Sequence, residues 1–191
     1  MPLKTLFIVP EIRLDSAPSN IPFWAGILAS IVQQKNGDVA ILDLNALRMN
    51  HGGGLVPTKK IIDEISSEKW DIIGIGGLTT TYSRIKSLAP LIRKYSPDST
   101  FIAGGGWCSY NPTEILELVP ELDLICIGEG EETFSEFYDE VSSGRRNFEN
   151  VNGLCLRDGK NFKFTQPRAL ISNLDTVPYP AYDLLEIDIY F

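Results

Sequence analysis

Residues 123–134 of the chain read Asp-Leu-Ile-Cys-Ile-Gly-Glu-Gly-Glu-Glu-Thr-Phe. The run 124–127 is apolar without a break, which is typical of a strand buried on both faces of a parallel sheet. Two glycines then bracket a carboxylate, and they allow the backbone to turn sharply. A helical pattern follows at once, with Phe134, Phe137 and Val141 at spacings of three and four. The stretch therefore predicts a strand, a glycine turn and the start of a helix.

Apolar runs and helical patterns alternate in the same way along the first 146 residues. Five strands are predicted, at residues 3–9, 39–44, 71–76, 100–103 and 124–127. Helices are predicted between them, and prolines suited to a first helical turn mark two of their starts, at Pro22 and Pro112. This alternation predicts an α/β fold of the doubly wound, Rossmann or flavodoxin-like type. Its parallel sheet would have five strands, with helices on both faces.

The remaining segments are predicted as connections or extensions. Residues 45–57, which contain the lone His51, are predicted as a glycine-rich loop. Residues 151–165 are predicted as a β-hairpin with Asp158-Gly159 as its turn, a favoured two-residue pair. We therefore expect a binding domain over 1–146, a hairpin extension over 147–170 and a proline-rich linker over 171–191.

Charge and hydropathy exclude several classes of partner. The formal net charge of −8 leaves no basic patch for nucleic acid or an anionic membrane surface. No apolar run approaches the roughly 20 residues that a membrane span needs. The chain enters a strand pattern at once, without the layout of a signal peptide, so the expected location is cytoplasmic.

The cysteines and the histidine do not predict a metal site. Cys108, Cys126 and Cys155 are too few and too widely spaced for a zinc or iron–sulfur motif, and one histidine cannot build a histidine site. Cys126 and Cys155 are expected to be small buried hydrophobes. Cys108 follows a glycine-rich turn, which leaves its exposure open, but a catalytic thiol is not favoured. No catalytic residue and no metal ligand are predicted.

Three glycine-containing turns follow the third, fourth and fifth predicted strands. Ligands of doubly wound sheets bind beyond the carboxyl ends of the strands, where these turns lie. Bare amides and threonine hydroxyls there suit a large, flat ligand rich in amide groups. The alternative is that the threonines only cap a helix and the glycines only make tight turns. The candidate binding residues are Gly76, Gly77, Leu78, Thr79, Thr80, Thr81, Tyr82, Gly104, Gly105, Gly106, Trp107, Gly128, Glu129, Gly130 and Glu131.

Two other ligand classes of this fold are not favoured. A dinucleotide site needs Gly-x-Gly-x-x-Gly directly after the first strand, but residues 10–15 contain no glycine. In the later turns, Thr79 and Thr133 stand where the third glycine belongs. A phosphoacceptor domain needs clustered acids at the end of the first strand to hold a divalent cation, and Glu11 stands there alone.

Several segments match one family in order along the chain: 22–37 with Asp43, 71–81, 101–106, 128–134, 152–154 and 174–185. The chain resembles the N-terminal cobalamin-binding domain of cobalamin-dependent radical S-adenosylmethionine proteins. That group includes methyltransferases and relatives of the anaerobic magnesium-protoporphyrin monomethyl ester cyclase. The resemblance implies that cobalamin lies over the carboxyl ends of the strands, in contact with loops 77–82, 104–107 and 128–131. It also implies that the nucleotide tail lies beside 79–81.

The chain departs from related motifs at two places. The Asp-x-His-x-x-Gly motif of cobalamin mutases, whose histidine ligates cobalt, is absent, because Ala17 follows Asp15 by two residues and His51 lies in another loop. The resemblance therefore implies cobalamin without a histidine lower ligand, its lower face covered by residues 10–20 or left to water. The family's Gly-Gly-Pro-His is replaced by Gly-Gly-Trp-Cys, and Trp107 either stacks on the corrin edge or packs under the neighbouring loop.

The cluster motif Cys-x-x-x-Cys-x-x-Cys of radical enzymes is also absent. The resemblance thus implies a parent protein whose C-terminal radical domain holds S-adenosylmethionine and a [4Fe-4S] cluster, for methyl transfer or cyclase-type chemistry. This chain would be its cobalamin module and would catalyse nothing alone. Two alternatives stay open: a degenerate domain that binds no cofactor and serves only for docking, and an enzyme that uses Glu129 or Glu131 as an acid–base pair. No histidine or metal cluster supports the second alternative.

Overall fold

The structure is a computed structural model and describes residues 2–191. The strands are β1 (Lys4–Val9), β2 (Asp38–Asp43), β3 (Ile72–Gly76), β4 (Thr100–Gly104), β5 (Leu124–Cys126), β6 (Leu154–Asp158) and β7 (Asn161–Phe164). The α-helices are α1 (Phe23–Gln34), α2 (Leu44–Met49), α3 (Thr58–Ile65), α4 (Tyr82–Tyr95), α5 (Gly106–Tyr110), α6 (Pro112–Leu118) and α7 (Glu131–Ser142). Short 3-10 turns lie at Thr79–Thr81, Phe148–Asn150, Leu174–Thr176, Tyr182–Leu184 and Ile187–Tyr190. No helix within 2–191 has both the length and the apolar character to cross a bilayer.

The strands form one mixed sheet in the order β2-β1-β3-β4-β5-β6-β7. Neighbours from β2 to β5 are parallel, whereas β6 pairs antiparallel with both β5 and β7. The predicted doubly wound α/β class is confirmed, but the described sheet has seven strands rather than five. The other two strands, β6 and β7, come from the hairpin, which pairs with the edge of β5. Without the hairpin, the backbone of that edge would be unpaired. Leu154 and Cys155 are accordingly fully buried.

The hairpin turn lies one residue later than predicted. Asp158 pairs with Asn161 in the ladder, so the turn residues are Gly159 and Lys160 rather than Asp158 and Gly159. Gly159 has a φ of +59°, and tight hairpin turns need a positive φ at their first residue. The conformational demand of the turn therefore sets the register.

Two short helices occupy segments that the sequence pattern predicts as loops. Helix α2 begins directly after β2, where the Asp43 carboxylate accepts a hydrogen bond from the Asn45 amide at 2.9 Å. Leu44 and Ala46 are fully buried there. Helix α5 begins at Gly106, inside the predicted glycine turn. Helices of five or six residues are too short to show a periodic pattern in the sequence, which explains both omissions.

The core lies on both faces of the sheet. On one face, Ile73 and Phe101 pack against α2 to α6, including the α4 stripe of Ile85, Leu88, Ala89 and Ile92. On the other face, Phe7 and Ile102 pack against α1 and α7. Adjacent residues of β3 point to opposite faces, as the two-residue period of a strand requires. The helices α1 and α7 therefore cover one continuous side of the sheet.

The C-terminal segment 171–191 packs along α1. The Ala181 amide donates to the Gly26 carbonyl at 3.0 Å, and the Ser30 hydroxyl donates to the Tyr179 carbonyl at 2.6 Å. Ala181 and Leu185 are buried. Because Gly26 has no side chain, Pro180 can lie directly on the helix; a Cβ at Gly26 would stand 2.8 Å from the Pro180 Cβ. The proline-rich stretch predicted as a linker is thus in contact with the core helices.

Truncation of Phe137 tests the α1–α7 side of the core. Its side chain is fully buried against Phe134 and Phe148, with ring centroids 5.7 and 5.0 Å away. We expect Phe137→Ala to lower the free energy of unfolding by about 3–5 kcal/mol, measured by urea denaturation, since it leaves a cavity. The matched control is Phe164→Ala on the hairpin, where the ring is 55% exposed, with an expected change of about 0.5 kcal/mol. Equal losses in the two variants would contradict the packing described.

Candidate functional site

A cavity of about 460 Å³ opens at the carboxyl ends of β1, β3, β4 and β5. It extends between the sheet and helices α1 and α7. The three predicted glycine turns meet at this cavity, because the carboxyl ends of parallel strands lie at the same edge of the sheet. The predicted residues that line it are Gly76, Gly77, Leu78, Thr81, Gly104, Gly105, Gly106, Gly128, Glu129, Gly130 and Glu131.

Four predicted residues do not line the cavity. Thr79 and Thr80 lie exposed on the 3-10 turn that precedes α4. Tyr82 and Trp107 pack against each other beneath the loops, with ring centroids 5.7 Å apart, and Trp107 is buried in the core. Of the two alternatives for Trp107, the structure shows packing under the neighbouring loop.

The turns after β3 and β4 contact each other through their backbones. Gly105 has a φ of +97° and a ψ of 175°, a conformation nearly restricted to glycine. A Cβ on Gly105 would stand 2.6 Å from the Gly77 carbonyl oxygen. The Thr81 hydroxyl donates to the Leu78 carbonyl at 2.7 Å and closes the first turn. The third turn joins this group, since the Gly128 amide donates to the Ser109 hydroxyl of α5 at 2.9 Å.

The interior of the cavity is an apolar cleft that depends on two residues without side chains in β3. A Cβ on Gly74 would stand 2.7 Å from the Phe7 ring, and a Cβ on Gly76 would stand 2.9 Å from the Trp24 ring. Phe7 lies edge to face with Trp24 at 6.1 Å and is 5.3 Å from Phe134. These rings and the bare strand form a cleft that an apolar, flat group can enter.

Several lining residues were missed by the sequence analysis, which looked for the site in the glycine turns. Trp24 and Leu28 lie on α1, and Cys126 and Phe134 belong to the strand and the helix predicted on either side of the third turn. The regular spacing of these residues predicted their burial. That spacing could not show that a cavity lies beside these residues, because the cavity also depends on Gly74 and Gly76 in β3.

The loop after β1 supplies Pro10, Ile12 and Asn20 to the cavity. Asn45 holds it from α2: its side-chain oxygen accepts from the Ile12 amide at 3.1 Å, and its side-chain nitrogen donates to the Pro10 carbonyl at 3.0 Å. The buried Arg48 guanidinium donates to the Ser16 carbonyl farther along the loop. These bonds hold one wall of the cavity onto the sheet.

A buried ion pair holds the same loop onto α4. The Glu11 carboxylate accepts from Arg84 Nε at 2.7 Å and from Arg84 Nη2 at 3.0 Å, and its side chain is 1% exposed. The Val56 amide also donates to Glu11, at 3.3 Å. Removing one partner of such a pair would leave a buried charge without compensation, which is strongly destabilising. Glu11 is therefore a structural anchor behind the loop.

The two predicted glutamates of the third turn differ in their surroundings. Glu129 Oε2 accepts a hydrogen bond from the Ile171 amide at 2.6 Å. Glu131 Oε2 is buried at the cavity without a hydrogen-bond partner. Buried polar atoms are usually paired, so an unpaired carboxylate oxygen beside the cavity is unusual. Glu129 is thus held by the backbone of the C-terminal segment, whereas Glu131 is not.

The three thiols are all buried. Cys108, whose exposure the sequence left open, is fully buried, and burial raises its pKa. Burial also raises the pKa of Cys126 to about 12, against a lowering hydrogen bond with Thr133. His51 is exposed and lies away from the cavity, 2.9 Å from the Lys60 ammonium through Nδ1. Among residues 2–191, no group of three His, Cys, Asp or Glu side chains is placed to hold a metal ion.

Comparison with known families agrees with this geometry. The model of the B12 binding domain matches residues 13–138, a range that contains the cavity turns. The chain belongs to the B12-binding domain family. This confirms the resemblance inferred from the sequence.

Curated relatives extend the comparison to nearly the whole chain. It is 29% identical over 192 residues to an uncharacterized methyltransferase, PH0819, of Pyrococcus horikoshii, covering 98% of this chain and 40% of the relative. It is 24% identical over 195 residues to the anaerobic magnesium-protoporphyrin IX monomethyl ester cyclase of Rubrivivax gelatinosus, covering 98% and 34%. The chain thus spans well under half the length of these relatives.

Solved structures share the fold. The radical S-adenosylmethionine methyltransferase TsrM from Kitasatospora setae, with cobalamin and a [4Fe-4S] cluster bound, superposes with a TM-score of 0.74 at 17% identity, covering 94% of this chain and 31% of that chain. The cobalamin-dependent radical enzyme OxsB, with aqua-cobalamin and S-adenosylmethionine bound, gives 0.79 at 19% identity, covering 96% and 24%.

Substitution of Gly105 tests the contact between the first two turns. Alanine there meets both an unfavourable backbone conformation and the Gly77 carbonyl. We expect Gly105→Ala to lower the free energy of unfolding by about 1–3 kcal/mol. Gly106→Ala is the matched control, because a Cβ at Gly106 has no neighbour within 4 Å; its expected change is below about 0.5 kcal/mol. If urea denaturation shows no difference between the variants, the turns do not contact each other as described.

The thiols supply a second test. Because the pKa of each buried cysteine is raised, its thiol stays protonated at pH 8, and only the thiolate is nucleophilic. We expect iodoacetamide at pH 8 to leave Cys108, Cys126 and Cys155 unmodified in the native chain and to alkylate all three in urea. Mass spectrometry counts the adducts. Stoichiometric alkylation of Cys108 without denaturant would contradict its burial.

Proposed function

We propose that the chain is the cobalamin-binding module of a larger radical S-adenosylmethionine enzyme and holds cobalamin at the cavity. One observation carries the proposal: in a chain of the B12-binding family, three glycine turns and an apolar cleft converge at the carboxyl ends of the strands. The turns expose backbone amides, and the cleft lies beside bare strand backbone at Gly74 and Gly76. The proposed site residues are the predicted ones that line the cavity, with Thr79 and Thr80 at its outer edge.

The residues present fit cobalamin chemically. The corrin carries carboxamide side chains, which need hydrogen-bond acceptors, and Glu131 Oε2 is a buried acceptor without a partner. The nucleotide tail ends in a flat, apolar heterocycle, which suits the cleft formed by Phe7, Trp24 and Phe134. We therefore propose this cleft for the tail in place of the predicted position beside 79–81, where Thr79 and Thr80 are exposed. Gly104 presents bare backbone to the cavity, and a Cβ there would make only an ordinary contact, 3.7 Å from the Cys126 Cβ.

The chain's own residues would bind and orient the cofactor and limit its contact with water. When bound, cobalamin supplies a cobalt centre able to carry a methyl group or to serve in redox chemistry. The loop after β1, held by Asn45 and Glu11, presents Pro10 and Ile12 to the cavity. The lone histidine, His51, does not line the cavity. We therefore propose that no histidine of this chain ligates cobalt from below.

The reaction belongs to the larger protein. We propose that a C-terminal radical domain of the parent holds S-adenosylmethionine and a [4Fe-4S] cluster and performs methyl transfer or cyclase-type chemistry. The relatives, of which this chain spans 40% and 34%, support such an arrangement. The alternative, a degenerate domain that only docks, predicts a chain that takes up no corrinoid.

Titration with hydroxocobalamin, followed by desalting and a visible absorption spectrum, tests the proposal. We expect about one corrin per chain to be retained. Gly104→Leu is expected to abolish retention, because its Cβ is tolerated while the longer side chain fills the cavity. Ser87→Leu, on the exposed face of α4, is the matched control and should bind as the unmodified chain does.

Circular dichroism of each variant shows whether it is folded. A folded chain that stays colourless, here and within its parent protein, would favour the docking alternative. Equal retention by Gly104→Leu and Ser87→Leu would place the cofactor outside this cavity.

A further inference from the structure

Residues 166–190, here called the strap, follow the hairpin and contact three of the elements that surround the cavity. The strap touches the third glycine turn at one end, α1 in its middle and the end of β2 at its other end. None of its residues lines the cavity. The strap therefore contacts the elements around the cavity at positions outside the cavity.

The first attachment holds the third turn and the start of α7. The Ile171 amide donates to Glu129 at 2.6 Å. Arg168 donates from Nε to the Thr133 hydroxyl at 2.8 Å and from Nη1 to Glu132 at 3.1 Å, and its Nη2 also reaches Glu136. The Arg168 side chain is 11% exposed, whereas its partners Glu132 and Glu136 are 54% and 48% exposed, so the arginine is buried behind two half-exposed carboxylates.

The second attachment holds α1. The Ala181 amide donates to the Gly26 carbonyl, and the Ser30 hydroxyl donates to the Tyr179 carbonyl. Pro180 lies against Gly26, which has no side chain. The cavity side of α1 carries Trp24. Gly26 and Trp24 lie on the same helix, so the contact of the strap with Gly26 restrains the position of Trp24 relative to the sheet.

The third attachment reaches the loop after β1 through a short relay. The Tyr190 hydroxyl donates to Asp43 Oδ2, while Asp43 Oδ1 accepts from the Asn45 amide at 2.9 Å. Asn45 in turn holds Ile12 and Pro10 of the cavity wall. Burial raises the pKa of Asp43. Burial and the neighbouring Asp43 carboxylate both raise the pKa of Tyr190, so the phenol keeps the proton that it donates.

We propose that the strap determines how long the cavity retains its ligand, with Arg168, Ser30 and Tyr190 as positioning residues. The inference rests on the proposed cobalamin function. Walls already held in place lose less conformational freedom when a ligand binds, so the bound state is favoured. Since coupling between two sites is reciprocal, bound cobalamin must also stabilise the attached strap.

The test uses three variants outside the cavity: Arg168→Gln, Ser30→Ala and Tyr190→Phe. Each chain is loaded with hydroxocobalamin, and its loss to an excess of a cobalamin-binding scavenger protein is followed by absorbance. We expect roughly 5-fold or faster release from Arg168→Gln, the lower range of typical coupling, and a smaller increase in the other two. Ser30→Ala and Tyr190→Phe each delete one oxygen, so they keep the test valid if Arg168→Gln fails to fold.

Arg145→Gln is the matched control, because Arg145 pairs with Glu140 at 3.0 Å at the other end of α7. Like Arg168→Gln, it removes a guanidinium that pairs with a glutamate of α7, but it lies outside the strap and should not change release. A second readout separates coupling from general stability. Bound cobalamin should slow hydrogen exchange of the Ile171 and Ala181 amides in the unmodified chain, and less so in Arg168→Gln.

The outcomes distinguish the two proposals. If the unmodified chain retains cobalamin but Arg168→Gln and Arg145→Gln release it equally fast, the role of the strap is refuted and the binding function stands. If cobalamin leaves exchange at Ile171 and Ala181 unchanged, reciprocity fails and the strap proposal is again overturned. If the unmodified chain retains no cobalamin, either alone or within its parent protein, the proposed function falls, and this inference falls with it.

Discussion

The packing of two aromatic rings on the bare backbone of β3 is the constraint on which the rest of the site depends. Phe7 covers Gly74 and Trp24 covers Gly76 at distances that leave no room for a Cβ. Trp24 thereby determines where α1 lies above the sheet, and Phe134 brings α7 to the same rings. A side chain at either glycine would push α1 away or fill the cleft. The same missing side chains therefore support the core and open the cavity.

Polar anchors hold the irregular segments around this apolar centre. Glu11 and Arg84 form a buried pair, and Asn45 satisfies backbone groups of the loop after β1. Because burial of an unpaired charge or amide is costly, such contacts restrict a loop to few conformations. Glu131 is an exception, with a buried oxygen that no protein group satisfies. An exception of this kind within a cavity is a reason to expect a ligand there.

The chain beyond residue 146 supports the site from outside it. The hairpin covers the edge of β5, from which the third turn leaves, and the Ile127 amide donates to the Gly153 carbonyl at 2.8 Å. The strap then joins this turn to α1 and to the loop after β1. Elements that surround the cavity are thus connected through the sheet and also through the hairpin and the strap.

Local sequence determined a large part of this protein. The continuous apolar runs and helical patterns predicted the five parallel strands and the helices between them, and the turn glycines predicted the end of the sheet where the cavity lies. Only the tertiary structure decided that β6 pairs with β5, that residues 171–191 dock on α1, and that Trp24 lines the cavity while Trp107 lies beneath the loops. Helix α2 and the true hairpin turn at Gly159 depend on a cap, a short buried face and a backbone angle. Periodicity reports only on neighbours within one element, whereas each of these features depends on residues brought together from different elements.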